Sequence, residues 1–273
     1  MAIQSDFHMH STYSGDAQSS MEEMISEAIN KGFKHICFTE HQDIGFPYKD
    51  ESEVGDFDLN TDSYLYELLG MRAKYEDRIK LGFGVELGMQ KEYFRENAIY
   101  AKSFEFDFII FSCHIVNGKD PYYPEYFEGR SEEEALREYF TCIADNVKQF
   151  DNFDILGHLD YAVRYAPEKD KNYNYFKYRD IIDRILETVI DKGKGIEINT
   201  AGIRGKDLKD VHPTTDIIKR YKELGGEIIT VGSDAHKAGD IGADFDRAYD
   251  ALKTAGFEYY CTFENRIASY HKI

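Results

Sequence analysis

His8 and His10 stand one residue apart in "DFHMHSTYSGD", near the start of the chain, with Asp16 just beyond a turn-rich gap. On a β-strand, residues two apart point to the same face and lie about 6.5–7 Å apart along it. Such a pair can reach one metal ion, although an isolated His-x-His is more often a solvated pair or a core histidine. Asp234 and His236 in "VGSDAH" repeat the spacing near the other end. Between them come His41 in "TEH", Glu86 in "GFGVELG", His114 in "FSCH" and His158 in "LGHLD". Glu86 interrupts an apolar run, where an unpaired carboxylate is costly; a salt bridge would satisfy it, and a bridging metal fits better. Asp16 reads either as a ligand or as an Asx-turn entering a helix. With nitrogen and oxygen donors and no thiolate, the set suits Zn, Fe or Mn, and donor type does not choose between them.

The elements that must position these groups alternate along the chain. Strand-like stretches are "SDFHMH", "KHICFTEH", "IKLGFGVELG", "FDFIIFSCHI", "FDILGHLD", "KGIEINT" and "EIITVGSDAH". Amphipathic helices lie between them. In "SSMEEMISEAINKG", Ser20 and Glu23 make a capping box and Met21, Met24, Ile25, Ala28 and Ile29 one apolar stripe, ended by Gly32. Ser131 and Glu134 repeat the capping pattern, and "RDIIDRILETVIDKG", "TTDIIKRYKELGG" and "ADFDRAYDALKTAG" each finish in glycine. This alternation predicts an α/β fold with parallel strands and crossover helices, in one domain over residues 1–273.

His8, His10, His41, Glu86, His114, His158, Asp234 and His236 all fall at the C-terminal ends of these strands, the edge that carries the active site in α/β barrels. Alternation should turn Phe7 and Met9 toward the helices and Glu40 away from His41, as a residue supporting the ligands from behind. Asp160 is placed to hold His158. His35 and His271 read as structural, and His212, before Pro213, as a candidate to line the pocket. The long connections "QDIGFPYKDESEVGDFDLN" and "VNGKDPYYPEYFEGR" follow strands directly, and loops of that length are either functional or plain surface excursions.

Composition narrows the classes. A chain of 273 residues with 42% hydrophobic and 15% aromatic side chains is globular and fits one α/β barrel. A formal net charge of −18 argues against nucleic-acid polymers and anionic membranes as partners. An anionic small-molecule substrate would need local positive charge to override that field, which metal ions can supply. Cys37, Cys113, Cys142 and Cys261 are scattered, reading as buried apolar residues of a reducing compartment. With no basic-then-apolar leader and no run of about 20 apolar residues, the chain is expected to be cytoplasmic.

Taken in order, "HMH", "TEH", "GVELG", "SCH", "GHLD" and "SDAH" resemble the motifs of the polymerase-and-histidinol-phosphatase (PHP) family of phosphoesterases, over nearly the whole chain. The closing "FENRIASYHKI" is similar to that family's C-terminal strand, without its frequent proline. "FSCH", "GHLDYAVRY" and "EINTAGIRGK" look most like the family's histidinol-phosphatase branch. The resemblance implies a distorted (β/α)7 TIM-like barrel and a three-metal site. In it His8, His10, Glu86 and Asp234 would hold one ion, and Glu86, His114 and His158 a second. Asp16, His41 and His236 would hold the third; the family has histidine or aspartate at the Asp16 position. The expected reaction is hydrolysis of a phosphate monoester, L-histidinol phosphate on the branch resemblance, by a hydroxide shared between ions and held via Glu86. Arg164 and Arg204 match basic positions that would clamp phosphate. A cationic amino alcohol would need an acceptor, for which Asp43 or Glu197 could serve. Competing readings are an amidohydrolase-like C–N or lactone hydrolase, a nucleotide or oligonucleotide phosphoesterase, and a metal-stabilised interaction domain.

Overall fold

The computed structural model describes residues 3–206 and 208–273. Seven strands pair in sequence order, each parallel to the next: β1 Ser5–Asp6, β2 His35–Gln42, β3 Lys80–Gly88, β4 Phe108–Ser112, β5 Ile155–Leu156, β6 Gly195–Asn199 and β7 Ile229–Gly232. Seven helices connect and follow them: α1 Met21–Asn30, α2 Thr61–Tyr75, α3 Phe94–Ser103, α4 Glu132–Gln149, α5 Arg179–Asp191, α6 Thr215–Glu223 and α7 Phe245–Ala255. The first and last strands meet through backbone bonds, Phe7 N–H to Val231 O (3.0 Å), Asp234 N–H to His8 O (2.7 Å) and His10 N–H to Ala235 O (2.9 Å). The result is the (β/α)7 barrel expected from the alternation of elements and the resemblance.

Local chemistry sets the helix ends. The capping boxes at Ser20–Glu23 and Ser131–Glu134 form as read, each satisfying orphan backbone donors of the first turn, a contribution of about 1 kcal/mol. Helix α7 ends on Gly256 at φ +84°, a left-handed position that glycine occupies without a Cβ penalty. Outward strand residues such as Ile36, Phe38, Phe83, Val85, Ile109, Ile196 and Val231 join the buried helix faces in the main core. All four cysteines are free. Among the described residues no helix is long and apolar enough to cross a membrane.

A second buried cluster, Phe7, Cys37, Phe108, Ile110 and Ile155 with Cys261 and Phe263, fills the inside of the barrel below the strand ends. Phe7 thus departs from the expectation that it faces the helices. Regular pairing of β1 with β2 stops at Asp6–Ile36, so strict alternation ends there. Phe7 and His8 both turn inward, whereas Met9 packs outward as read. The C-terminal segment is an antiparallel hairpin, β8 Tyr259–Glu264 and β9 Ile267–Lys272. Phe263 packs on Phe108 (centroids 4.9 Å apart), Arg266 pairs with Asp154, and Asn265 N–H donates to Asp107 Oδ1 (3.0 Å). The hairpin therefore plugs the end of the barrel opposite the histidines. His271 belongs to it structurally, its Nε2 lying 2.7 Å from Thr262 Oγ1.

Candidate metal centre

Glu86, near the end of β3, sits wholly buried at the middle of the open end. His8 Nε2 and His41 Nδ1 each lie 3.1 Å from its Oε2, and His10 Nε2 lies 3.5 Å away. On the other side, His158 Nε2 lies 3.0 Å and His114 Nε2 3.3 Å from Oε1. Asp234 Oδ1 faces His8 and His10 at 3.6 and 3.4 Å. Asp16 Oδ2 faces His236 Nε2 at 3.1 Å and His41 Nε2 at 3.7 Å. The groups that the sequence placed at strand ends therefore converge, with Asp16 among them. His10 also stacks between His41 and His236, at 4.2 and 4.3 Å.

Hydrogen bonds behind the cluster fix which ring nitrogen points inward. His8 Nδ1 lies 2.9 Å from Glu197 Oε2, and His114 Nδ1 lies 2.8 Å from Asp43 Oδ1. His236 Nδ1 lies 3.0 Å from the Asp234 carbonyl. Ser14 spends its hydroxyl proton on Glu40 (2.6 Å), so its oxygen accepts from His10 Nδ1 at 3.1 Å. Each of these Nδ1 atoms is then the donor, which leaves the Nε2 lone pair directed into the cluster.

Lone pairs on nitrogen thus face lone pairs on carboxylate, and both Glu86 oxygens, His8 Nε2, His10 Nε2 and His41 Nδ1 are buried without a hydrogen-bond partner. Protons cannot satisfy all of them. Burial tends to lower His8 and His114, but the carboxylates of Glu197 and Glu86, and of Asp43 and Glu86, hold them well above the ordinary histidine value. Burial, with His41 and His236 close by, instead pushes His10 down to about 3. Divalent cations fit this donor set: they accept several lone pairs at once and neutralise the buried carboxylates. Donor groups whose atoms lie within 4.8 Å of one another overlap here, among them His8–His10–Glu86, His41–Glu86–His114 and His10–His41–His236.

Other candidates hold the cluster's surroundings. Of Asp43 and Glu197, either of which could accept a cationic alcohol, Glu197 is committed to His8, whereas Asp43 lines the cavity with Oδ1 on His114 Nδ1 and Oδ2 buried without a hydrogen-bond partner. Glu197 Oε1 also accepts the His158 N–H (2.6 Å) and Asn199 Nδ2 (3.2 Å), and Asn199 reaches Asp234 Oδ2 at 3.3 Å. Glu40 supports the ligands as read, through Ser14 to His10. Asp160 does not hold His158; it lies 2.5 Å from Nδ1 of His212 and accepts from Thr214 N–H. His212 is buried in that pairing and does not line the cavity, because its backbone bonds to Asn199 draw it back against β6. Arg204 is also drawn away, its guanidinium bonded to the Ser233 and Asp234 carbonyls and to Asp240. Ser14 and Asn199 escaped notice in the sequence, where polar residues beside ligands look like any loop or strand-end residue.

Above the cluster opens a cavity of about 430 Å³. Both long connections line it, with Phe46, Glu53, Asp56 and Phe57 from the first and Asp120, Tyr122 and Tyr123 from the second. Tyr161, Arg164 and Tyr165 come from the short 3-10 helix Tyr161–Tyr165. Arg164 is the only lysine or arginine on its wall among the described residues, and it forms no ion pair with a described carboxylate.

Residues 6–201 match the PHP domain. The chain is 36% identical to a histidinol-phosphatase of Lactococcus lactis subsp. lactis, over 94% of this chain and 93% of that protein. It is 32% identical to a probable histidinol-phosphatase of Clostridium acetobutylicum, over 97% and 98% of the two chains. The fold superposes on the crystal structure of histidinol phosphate phosphatase from Lactococcus lactis, complexed with Zn, L-histidinol and phosphate, with a TM-score of 0.88 and 33% identity, covering 97% of this chain and 98% of that one.

Proposed function

The chain belongs to the PHP domain family, and on that premise we propose that it is a metal-dependent phosphomonoesterase that hydrolyses L-histidinol phosphate to L-histidinol and phosphate. The observation that carries this reading is the convergence of histidine nitrogens on both oxygens of the buried Glu86, a donor set that divalent cations fit. His8, His10, Glu86 and Asp234 would hold one ion and Glu86, His114 and His158 a second. Asp16, His41 and His236 would hold a third. Zinc, iron and manganese all match these donors. When bound, such ions make water nucleophilic at neutral pH and stabilise charge on phosphoryl oxygens.

The chain's own residues do the rest. Glu197, Asp43 and Ser14 keep the histidine lone pairs aimed inward. Arg164, free of carboxylate partners, faces the cavity as the phosphate clamp. Arg204 holds the β7 end that carries Asp234 in place. The tyrosine and phenylalanine walls narrow the access of bulk water. Glu53 and Asp56 on the same walls oppose a polyanion, which favours a small substrate over nucleic acid. Assaying metal-loaded protein for phosphate release from L-histidinol phosphate and from aryl phosphates tests the reading. Turnover of the former is expected, and no release from any of them with metal bound would remove it.

A further inference from the structure

The metal-facing floor explains phosphate chemistry but not the choice of alcohol, and the connection after β4 holds the relevant group. Asp120 lines the cavity half-buried, its Oδ1 accepting the Tyr122 N–H at 2.7 Å, with no ion-pair partner among the described residues. Burial pushes its carboxyl up to about 6, a cost that a bound cation would remove. An aromatic frame stands with it on the wall: Tyr165 packs edge-on against Tyr122 (5.3 Å) and Tyr161 (5.0 Å). The nearby Lys49 pairs with Glu125 at 2.9 Å and lies over the Tyr123 ring. Of the cavity's other acids, Asp43 lies against His114 and His41, Asp16 serves His236, Asp234 faces His8 and His10, Glu53 is exposed, and Asp56 stands half-buried beside Gly15 on the first connection.

A recessed, unpaired carboxylate framed by tyrosine rings suits a primary ammonium, which gains a charge-assisted bond on one side and ring faces on the other. We propose that Asp120 determines substrate specificity by binding the ammonium group of the amino-alcohol part of the substrate, with Tyr161 and Tyr165 beside it. This rests on the phosphatase reading above and adds to it the residue that selects the alcohol.

The test compares metal-loaded wild type with Asp120→Asn on L-histidinol phosphate and on 3-(imidazol-4-yl)propyl phosphate, which lacks the amine. Asparagine keeps the acceptor for the Tyr122 N–H, so the connection retains its bond. A charged hydrogen bond lost from a recessed site is expected to cost about tenfold to a hundredfold in kcat/KM for L-histidinol phosphate. The amine-free analogue should change by less than about threefold. Calorimetry of L-histidinol with inorganic phosphate present should show the same loss of affinity. Equal losses on both substrates, or none on either, would overturn the assignment. If wild type hydrolyses neither, the phosphatase reading fails separately, and calorimetry decides for Asp120: weaker L-histidinol binding by the variant supports it, and unchanged or absent binding by wild type overturns it.

Discussion

Glu197→Gln removes one oxygen acceptor behind the metal centre and leaves every proposed ligand in place. Glu197 receives His8 Nδ1 at 2.9 Å on one oxygen, and His158 N–H at 2.6 Å with Asn199 Nδ2 at 3.2 Å on the other. Glutamine offers an acceptor to one side only and turns N–H donors to the other. In the metal-free protein His8 can adapt by moving its proton to Nε2, toward Glu86 at 3.1 Å. With a cation on Nε2 the proton must stay on Nδ1, so the conflict falls on the metal-bound state. A stranded buried donor costs about 1–3 kcal/mol, or about 5- to 150-fold in metal affinity. Substitutions behind metal ligands typically cost about 10- to 100-fold. Titration against a competing chelator reads the affinity, and kcat/KM should recover substantially when metal is supplied in excess. Affinity within about twofold of wild type would refute the claim that Glu197 fixes the His8 tautomer.

Arg164→Ala should raise KM about 10- to 100-fold while metal content is retained, and unchanged kinetics would return the residue to the surface. Gly232→Ala would drive a Cβ far inside van der Waals contact with His8 Cβ, so metal content at a fixed free concentration should fall sharply in elemental analysis. Metal affinity should also rise with pH. Burial tends to lower His236, but the Asp16 carboxylate raises it to about 9, and His8 and His114 are likewise raised. The metal-free cluster therefore holds protons at neutral pH that binding must expel, and competition loses its pH dependence only as pH climbs past that value. Calorimetry in buffers of different ionisation enthalpy should register the released protons, and affinity unchanged between pH 6.5 and 8.5 would contradict this.

The donor set was legible in the sequence because β2, β3 and β4 are long enough for alternation to hold, so that Cys37 with His41, and Gly84 with Glu86, share the inner face. It failed at β1, where pairing lasts only two residues and Phe7 turns inward beside His8. Helices α1 and α4 announced themselves through capping boxes, whereas α2 buries only Thr61, Tyr64, Leu68 and Tyr75, too sparse a stripe to read. Asp43 and Glu197 were visible as acids near the site, but whether a carboxylate serves a histidine or a substrate depends on which atom it faces. That is settled by packing between distant segments. Likewise nothing near Pro213 in the sequence reveals that His212 bonds to Asp160, on the connection after another strand.

Crystals of the protein purified without chelator, measured on either side of the absorption edges of zinc, iron and manganese, offer the most direct check. Anomalous peaks packed around the two oxygens of Glu86, within bonding reach of His8, His10, His114 and His158, are the expected result. A well-ordered map with no anomalous signal there, and those rings turned from one another, would contradict the proposed metal centre.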